Sequence, residues 1–397
     1  MMQVCSRRTC LSVQIPESIP VRVREMLNVK KTTSNDDMQY IIFSACGYGN
    51  IGDDAIMLGT ARYLITRKKA KDLFVFTYTP REIQQTLEKS GLTALATIYS
   101  GYFFGLMRTM LSSKKKVILI GGGTLITNRT FFSLYYLIPA VLFKLFRQEI
   151  HFFGVAAEDV IHRRSVRFML SIALRYCIKK AFVRDNFTKN VLENFTNGSS
   201  NNAEIKTIGD PALYLKEWEK DEENGKEIAV GDNNRTFDET VQIFLSARDV
   251  NPRLSDYYAK CFASLLDGVI EALLDKRGRA VTINFVPFCI HKTSQLERDD
   301  LFGLKIQSQM KHTNCFQIKK IDNPIELMHK FKVADFCICM RLHSLIFAYM
   351  TERRCLAISY SPKVYTFAKD NGLPYIDIDR LEEEKECIIG NMLKYFS

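Results

Sequence analysis

The chain has 397 residues, 47% apolar and 25% charged, proportions of a packed globular protein that exclude a disordered chain and a multi-span membrane protein. At roughly 150 residues per domain the length predicts two or three units, two similar halves being the simplest division. The formal charge of +11, from 55 Lys and Arg against 44 Asp and Glu, favours an anionic partner. That excess is spread over Lys114–Lys116, Arg163–Lys180 and Lys311–Lys332 without interleaved aromatics, so nucleic acid is set aside, and a phosphorylated substrate or an anionic membrane surface remains.

Residues 1–37 carry Arg7, Arg8, Arg22 and Arg24, two prolines and a polar stretch ending in two aspartates. They read as a loosely ordered arm without a signal-peptide or anchor-length apolar run, and the expected compartment is the cytosol. A first domain is expected over 38–215. Short apolar runs at Tyr40–Cys46, Leu73–Tyr78, Lys116–Ile120, His151–Val155 and Ala181–Arg184 alternate there with helix-length segments, the rhythm of a parallel sheet covered by helices. The greasy stretch Phe131–Phe146, broken by Pro139 and Lys144, is too short to cross a bilayer and is expected to be a buried helix. Residues 216–240 turn polar and charged and predict a linker. A second domain over 241–397 resumes the rhythm with Val241–Ala247, Ala280–Val286, Phe336–Met340 and Cys355–Ile358. The fold class is therefore α/β, with two Rossmann-like doubly wound domains and a ligand cleft expected between them.

Three segments carry chemistry. Gly47-Tyr48-Gly49-Asn50-Ile51-Gly52-Asp53-Asp54 follows the first strand and precedes a helix expected to begin near Ala55. Its glycines permit a tight turn and expose amides at a positive helix end, and Asn50, Asp53 and Asp54 are placed to hydrogen-bond sugar hydroxyls or to cap the helix. Gly121-Gly122-Gly123-Thr124 is expected as a turn after the strand ending at Ile120; it suits either a substrate-facing loop or close packing. Met340-Arg341-Leu342-His343-Ser344 lies where a strand of the second domain becomes a helix. Arg341 can grip a phosphate or carboxylate bidentately, and His343 can move protons near neutrality. Tyr360-Ser361-Pro362-Lys363 adds a further cation after the next strand. The eleven scattered cysteines read as buried reduced thiols. Cys337 and Cys339 have no second ligand pair nearby, so no metal site is expected.

In this order and spacing, over about residues 40–365, the Gly47–Asp54 loop, the Gly121–Thr124 glycines and Arg341-Leu342-His343 followed by Tyr360 and Lys363 resemble the polysaccharide pyruvyl transferases. Val183-Arg184-Asp185, Gly209-Asp210-Pro211 and Leu245-Ser246-Ala247-Arg248 support the likeness, whereas His151–Ala157 stands where relatives often carry a second glycine-containing turn. The resemblance implies a two-domain fold like that of GT-B glycosyltransferases. It also implies phosphoenolpyruvate as donor and a sugar of a surface glycan as acceptor, possible lipid linkage of that acceptor included. Arg341 and Arg248, then Arg184 and Lys363, would hold the donor's phosphate and carboxylate. His343 would be the acid or base, with Asp53 and Asp54 acting on the acceptor. Leu342, Gly49, Asn50, Gly52, Gly122, Gly123 and Thr124 would line the substrates, and no metal or other cofactor is called for. A nucleotide-sugar glycosyltransferase and a non-catalytic sugar- or anion-binding protein are the alternatives. The basic stretch Arg163–Lys180 reads either as a solvated helix face or as a peripheral contact with the inner membrane face.

Overall fold

The computed structural model describes residues 38–77, 79–92, 96–100, 116–158, 160–196, 203–217, 240–291, 297–321 and 323–396. The expected arm at 1–37 and nearly all of the expected linker at 216–240 lie outside the described residues. The remainder divides into two units, each built on its own sheet.

The first unit holds seven parallel strands: β1 (Gln39–Ser44), β2 (Leu73–Thr77), β3 (Ala96–Ser100), β4 (Lys116–Ile126), β5 (Glu149–Ala157), β6 (Ile178–Val183) and β7 (Glu204–Thr207). Their order across the sheet is β3-β2-β1-β4-β5-β6-β7. Helices α1 (Ile51–Lys68), α2 (Pro80–Lys89), α3 (Thr130–Leu145), α4 (Arg164–Ile172) and α5 (Asn186–Glu193) connect them. A strand covered on both faces is apolar throughout rather than at alternate positions. Accordingly β4 buries Val117, Ile118, Leu119 and Ile120 in succession, as β5 does Phe152 and Phe153.

The second unit repeats the plan with β8 (Val241–Ser246), β9 (Val281–Phe285), β10 (Phe316–Ile318), β11 (Phe336–Cys339), β12 (Cys355–Ser359) and β13 (Tyr375–Asp377), again all parallel, in the order β10-β9-β8-β11-β12-β13. Its helices are α6 (Ser255–Arg277), α7 (Asp299–Gln307), the part of α8 (Pro324–Lys332) from Met328 onward, α9 (Leu342–Met350), α10 (Pro362–Asp370) and α11 (Lys385–Leu393). One core joins Ile243, Leu245, Phe262, Leu266, Phe285 and Ile338, and each such side chain contributes about 2 kcal/mol when removed from water.

In both sheets the chain winds outward from two central strands in opposite directions. That leaves a crevice beyond the carboxyl ends of β1 and β4 in one unit and of β8 and β11 in the other, where open α/β sheets bind ligands.

Two local expectations are corrected. The helix after β1 starts at Ile51 rather than near Ala55, because the Asn50 side chain caps it by accepting from the Gly52 amide at 3.1 Å. Gly121–Thr124 is not a turn after the strand: β4 runs on to Ile126, with Gly121 and Gly123 opposite Phe153 and Val155 of β5. A side chain at Gly121 would lie 2.0 Å from the Phe153 carbonyl oxygen, so glycine is what lets the two strands close there. The described cysteines are thiols, all buried except Cys315 and Cys387.

Candidate functional site

At the first unit's crevice the loop from β1 to α1 is fixed by its own carboxylates. The Gly47 amide donates to Asp54 Oδ1 at 2.7 Å, and Asn50 Nδ2 donates to Asp53 Oδ2 at 2.8 Å. Gly47 has φ +85 and Gly49 φ +80, a left-handed backbone that glycine adopts without strain. Both aspartates thus have local partners, and they differ in setting. Asp54 is buried, and burial pushes its carboxyl up to about 6 against the opposing pull of the Gly47 amide. Asp53 is half-exposed and faces Gly123, where an added Cβ would stand 3.6 Å from Asp53 Oδ1. Gly122 and Gly123, at φ +110 and +87, bring β4 alongside the same loop. Beneath it the buried Cys46 thiol is pushed up to about 12 by burial and by the Asp54 charge, which makes it inert.

Arg184 leaves the end of β6 and stands apart from that loop. It is buried between Asp185 at 3.6 Å and Asp210 at 3.7 Å, so its charge is balanced within the fold.

The second unit assembles a denser cluster. Arg341, the residue before α9, gives Nε to Asp299 Oδ2 at 2.9 Å and Nη2 to Asp299 Oδ1. Asp299 opens α7, is 1% exposed, and also accepts from the Phe288 and Cys289 amides at 3.1 and 3.0 Å. Burial opposes the charge on Arg341, but the Asp299 carboxylate more than offsets it and holds the guanidinium pKa above its usual value. Arg248 follows β8; its amide donates to Met340 Sδ at 3.4 Å, and its guanidinium carbon lies 5.6 Å from the centre of the Tyr360 ring. Tyr360 follows β12 and is ringed by Lys363, Arg341 and Arg248. Burial pushes the phenol up, but those three cations outweigh it and leave the pKa below that of an ordinary tyrosine. His343 sits in the first turn of α9 beside this cluster in sequence, with Nε2 shielded from solvent. Ser246, at the end of β8, and Ser361, between β12 and α10, have buried hydroxyl oxygens with no hydrogen-bond partner among the described residues.

Apart from Arg184, the residues singled out from sequence gather in two groups. Asn50, Asp53, Asp54, Gly122 and Gly123 lie at the first sheet's switch point; Arg248, Arg341, Leu342 and His343 lie at the second's, with Lys363 one strand over. Asp299 was missed: it is 42 residues from Arg341, and only the folded sheet brings them together.

A family model described as polysaccharide pyruvyl transferase matches residues 50–362. The chain belongs to the polysaccharide pyruvyl transferase family. No curated protein sequence matches it. Among solved structures it is similar to the UDP-GlcNAc 2-epimerase of Methanocaldococcus jannaschii at 11% identity and TM-score 0.58, with 89% of this chain and 91% of that one covered. The corresponding Neisseria meningitidis enzyme matches at 10% identity and TM-score 0.53, covering 90% and 93%. A putative UDP-N-acetylglucosamine 2-epimerase of Listeria monocytogenes matches at 10% and 0.54, covering 91% and 88%. At such identities the likeness speaks for the fold alone, which is of the GT-B kind for this pyruvyl transferase family member. Among the described residues no helix is long and apolar enough to cross a membrane.

Proposed function

We propose that this chain moves the three-carbon unit of phosphoenolpyruvate onto two hydroxyls of a glycan sugar, forming a cyclic pyruvate ketal and releasing phosphate. The observation that carries this reading is the set of three cations, Arg248, Arg341 and Lys363, around Tyr360 beside the second sheet's switch point. A donor with both a phosphate and a carboxylate calls for such a set. Arg341, held by Asp299 through Nε and Nη2, offers its remaining amine to the anion without having to be ordered first.

In the reaction the methylene carbon takes a proton and one sugar hydroxyl attacks the carbon that bears the phosphate. The carbon–oxygen bond to phosphate breaks, and a second hydroxyl closes the ring; each hydroxyl gives up its proton. His343 is the preferred donor of the first proton, and the acidified Tyr360 phenol is the second candidate. Asp53 with Asn50 would orient the acceptor hydroxyls, and Asp54 would act through the loop it holds at Gly47. Arg184, already flanked by Asp185 and Asp210, is a weaker candidate for a donor ligand than Arg248 and Arg341. The cationic side chains carry the phosphate charge, and no cofactor is invoked. A cytosolic enzyme of this kind would meet a lipid-linked acceptor at the inner membrane face.

The test is phosphate release from phosphoenolpyruvate over a panel of sugar acceptors, with the mass of the product followed. His343→Ala is the better blank, because Arg341→Ala would strand the buried Asp299 carboxylate and confound activity with folding. Acceptor-dependent release with a pyruvate ketal on the sugar supports the reading. Stabilisation by uridine diphosphate, with no binding of phosphoenolpyruvate, would replace it with nucleotide-sugar chemistry.

A further inference from the structure

The helix α3 was expected to be buried, and its inner side is: Tyr136, Leu137, Ala140 and Phe143 pack into the first unit's core. Its outer side is not. Phe131, Ile138 and Leu145 recur every seven residues, two helical turns apart, and are 92%, 43% and 72% exposed. The neighbouring α4 and the turn after it expose Phe168 by 65% and Tyr176 by 63%. Large aromatics this open on adjacent helices are not what a solvated face looks like.

The charges that α3 and α4 themselves carry are of one sign, with Glu158, which accepts from Asn128 ahead of α3, just outside them. No Asp or Glu occurs from Lys89 to Gln148 or from Val160 to Arg184. Lys144 is the single charged residue of α3, and with Arg147, Arg163 and Arg164 it stands exposed near the apolar stripe. We propose that this face of α3 and α4 docks the chain on a bilayer surface that carries anionic headgroups. The apolar side chains would enter the boundary between headgroups and acyl chains, and the cations would meet the lipid charge. The helices would lie on the membrane, since neither is long and apolar enough to cross it. A second copy of the chain fits poorly. A two-fold contact sets the same patch against itself, and these two helices would bring only positive charge to both sides. The surface stands independently of the pyruvyl-transfer reading and serves it by bringing the enzyme to a membrane-borne acceptor.

The experiment is co-sedimentation of the full chain with phosphatidylglycerol-containing vesicles and with pure phosphatidylcholine vesicles, without sugar or phosphoenolpyruvate, at low and high salt. Binding to the first only, and weakening with salt, is the expected result. The double variant R163E/R164E should weaken binding by at least about 25-fold, at about fivefold per cation removed. The double variant F131S/F168S should weaken it about tenfold or more while leaving the melting temperature unchanged. No binding at low salt overturns the proposal. So does a dimer in solution that F131S/F168S dissolves. Because the assay contains no substrate, its failure leaves the reaction untouched, and failure of the reaction leaves the docking surface untouched.

Discussion

Removal of the Asp299 carboxylate is the perturbation with the largest effect that the structure allows to be worked through. Asp299→Ala leaves the Arg341 guanidinium mostly buried without its anion and strips the Phe288 and Cys289 amides of their acceptor. Breaking a buried pair from one side costs about 3–5 kcal/mol. In a unit of this size each kcal/mol lowers the melting temperature by about 2–4 °C, so a fall on the order of 10 °C is expected. Asp299→Asn keeps the shape and one acceptor and loses the charge, a cost of about 2 kcal/mol. Its neighbour is the internal control. Asp300 also makes a close pair with an arginine, Arg298 at 2.6 Å, but in a solvent-accessible setting, where such a pair contributes about 0.5 kcal/mol. The assay is thermal unfolding of the three variants, followed by titration with phosphoenolpyruvate, for which Asp299→Asn should bind more weakly because Arg341 is no longer held in one rotamer. If Asp299→Ala and Asp300→Ala melt within about one degree of each other, the buried pair does not have the role assigned to it.

Three further outcomes follow from the same geometry. The Asp54 carboxyl titrates at about 6 in the fold and near 3.8 when unfolded, so the folded state holds the extra proton between those values and stability must fall as pH rises through the window. The two-unit difference is worth about 3 kcal/mol; Asp54→Asn should be more stable than the parent at neutral pH and lose that slope, and an unchanged slope would refute the assignment. Tyr360 should supply a phenolate absorbance that appears at lower pH than that of an ordinary tyrosine, that vanishes in Tyr360→Phe and that moves to higher pH in Lys363→Met; a phenol titration unchanged by Tyr360→Phe in the low range would mean the cations do not act on it. Gly121→Ala should destabilise the first unit by about 2 kcal/mol or more, because its Cβ meets the Phe153 carbonyl at 2.0 Å, whereas Gly390→Ala, with open space around it, should not destabilise; equal melting temperatures would contradict the close approach of β4 and β5.

What could be read in the sequence was what leaves a local trace. Strands buried on both faces are continuous apolar runs, so β1, β5, β8 and β11 were visible with ends off by at most two residues, and β4 was visible from its true start at Lys116 but was cut six residues short at the glycines. Edge strands are not: Glu204–Thr207 has no buried residue and Tyr375–Asp377 has one, so neither carries a hydrophobic signal. The glycines at 121–123 misled because a positive φ usually ends a strand. Here the ladder to β5 continues through them and shifts register only near Thr124. Helix α3 misled because its apolar content was read as burial, whereas one side faces the core and the other does not. Asp299 left no trace, since two aspartates at a helix start look like ordinary compensation of the helix dipole. Tyr360 stood in view with the motif, but an effect of three cations drawn from the ends of β8, β11 and β12 exists only once those strands are neighbours.

The buried pair also bears on why the cluster exists. A desolvated Arg and Asp are a poor way to stabilise a fold, since well-packed apolar residues of similar volume do as well or better. The second unit has apolar residues in abundance around the same strands, among them Phe288, Phe331 and Phe347, whose ring centres lie 5.8 to 6.2 Å apart in edge-on and tilted contacts. Keeping a guanidinium at the end of β11, fixed by a carboxylate that spends two further acceptor sites on backbone amides, therefore needs a reason beyond stability. The buried serine hydroxyls of Ser246, at the end of β8, and Ser361, between β12 and α10, are a second polar expense in the same place. Both make sense if the crevice is completed by an anion that the fold itself does not supply, and that ligand would meet in Arg341 a cation already oriented and already largely desolvated.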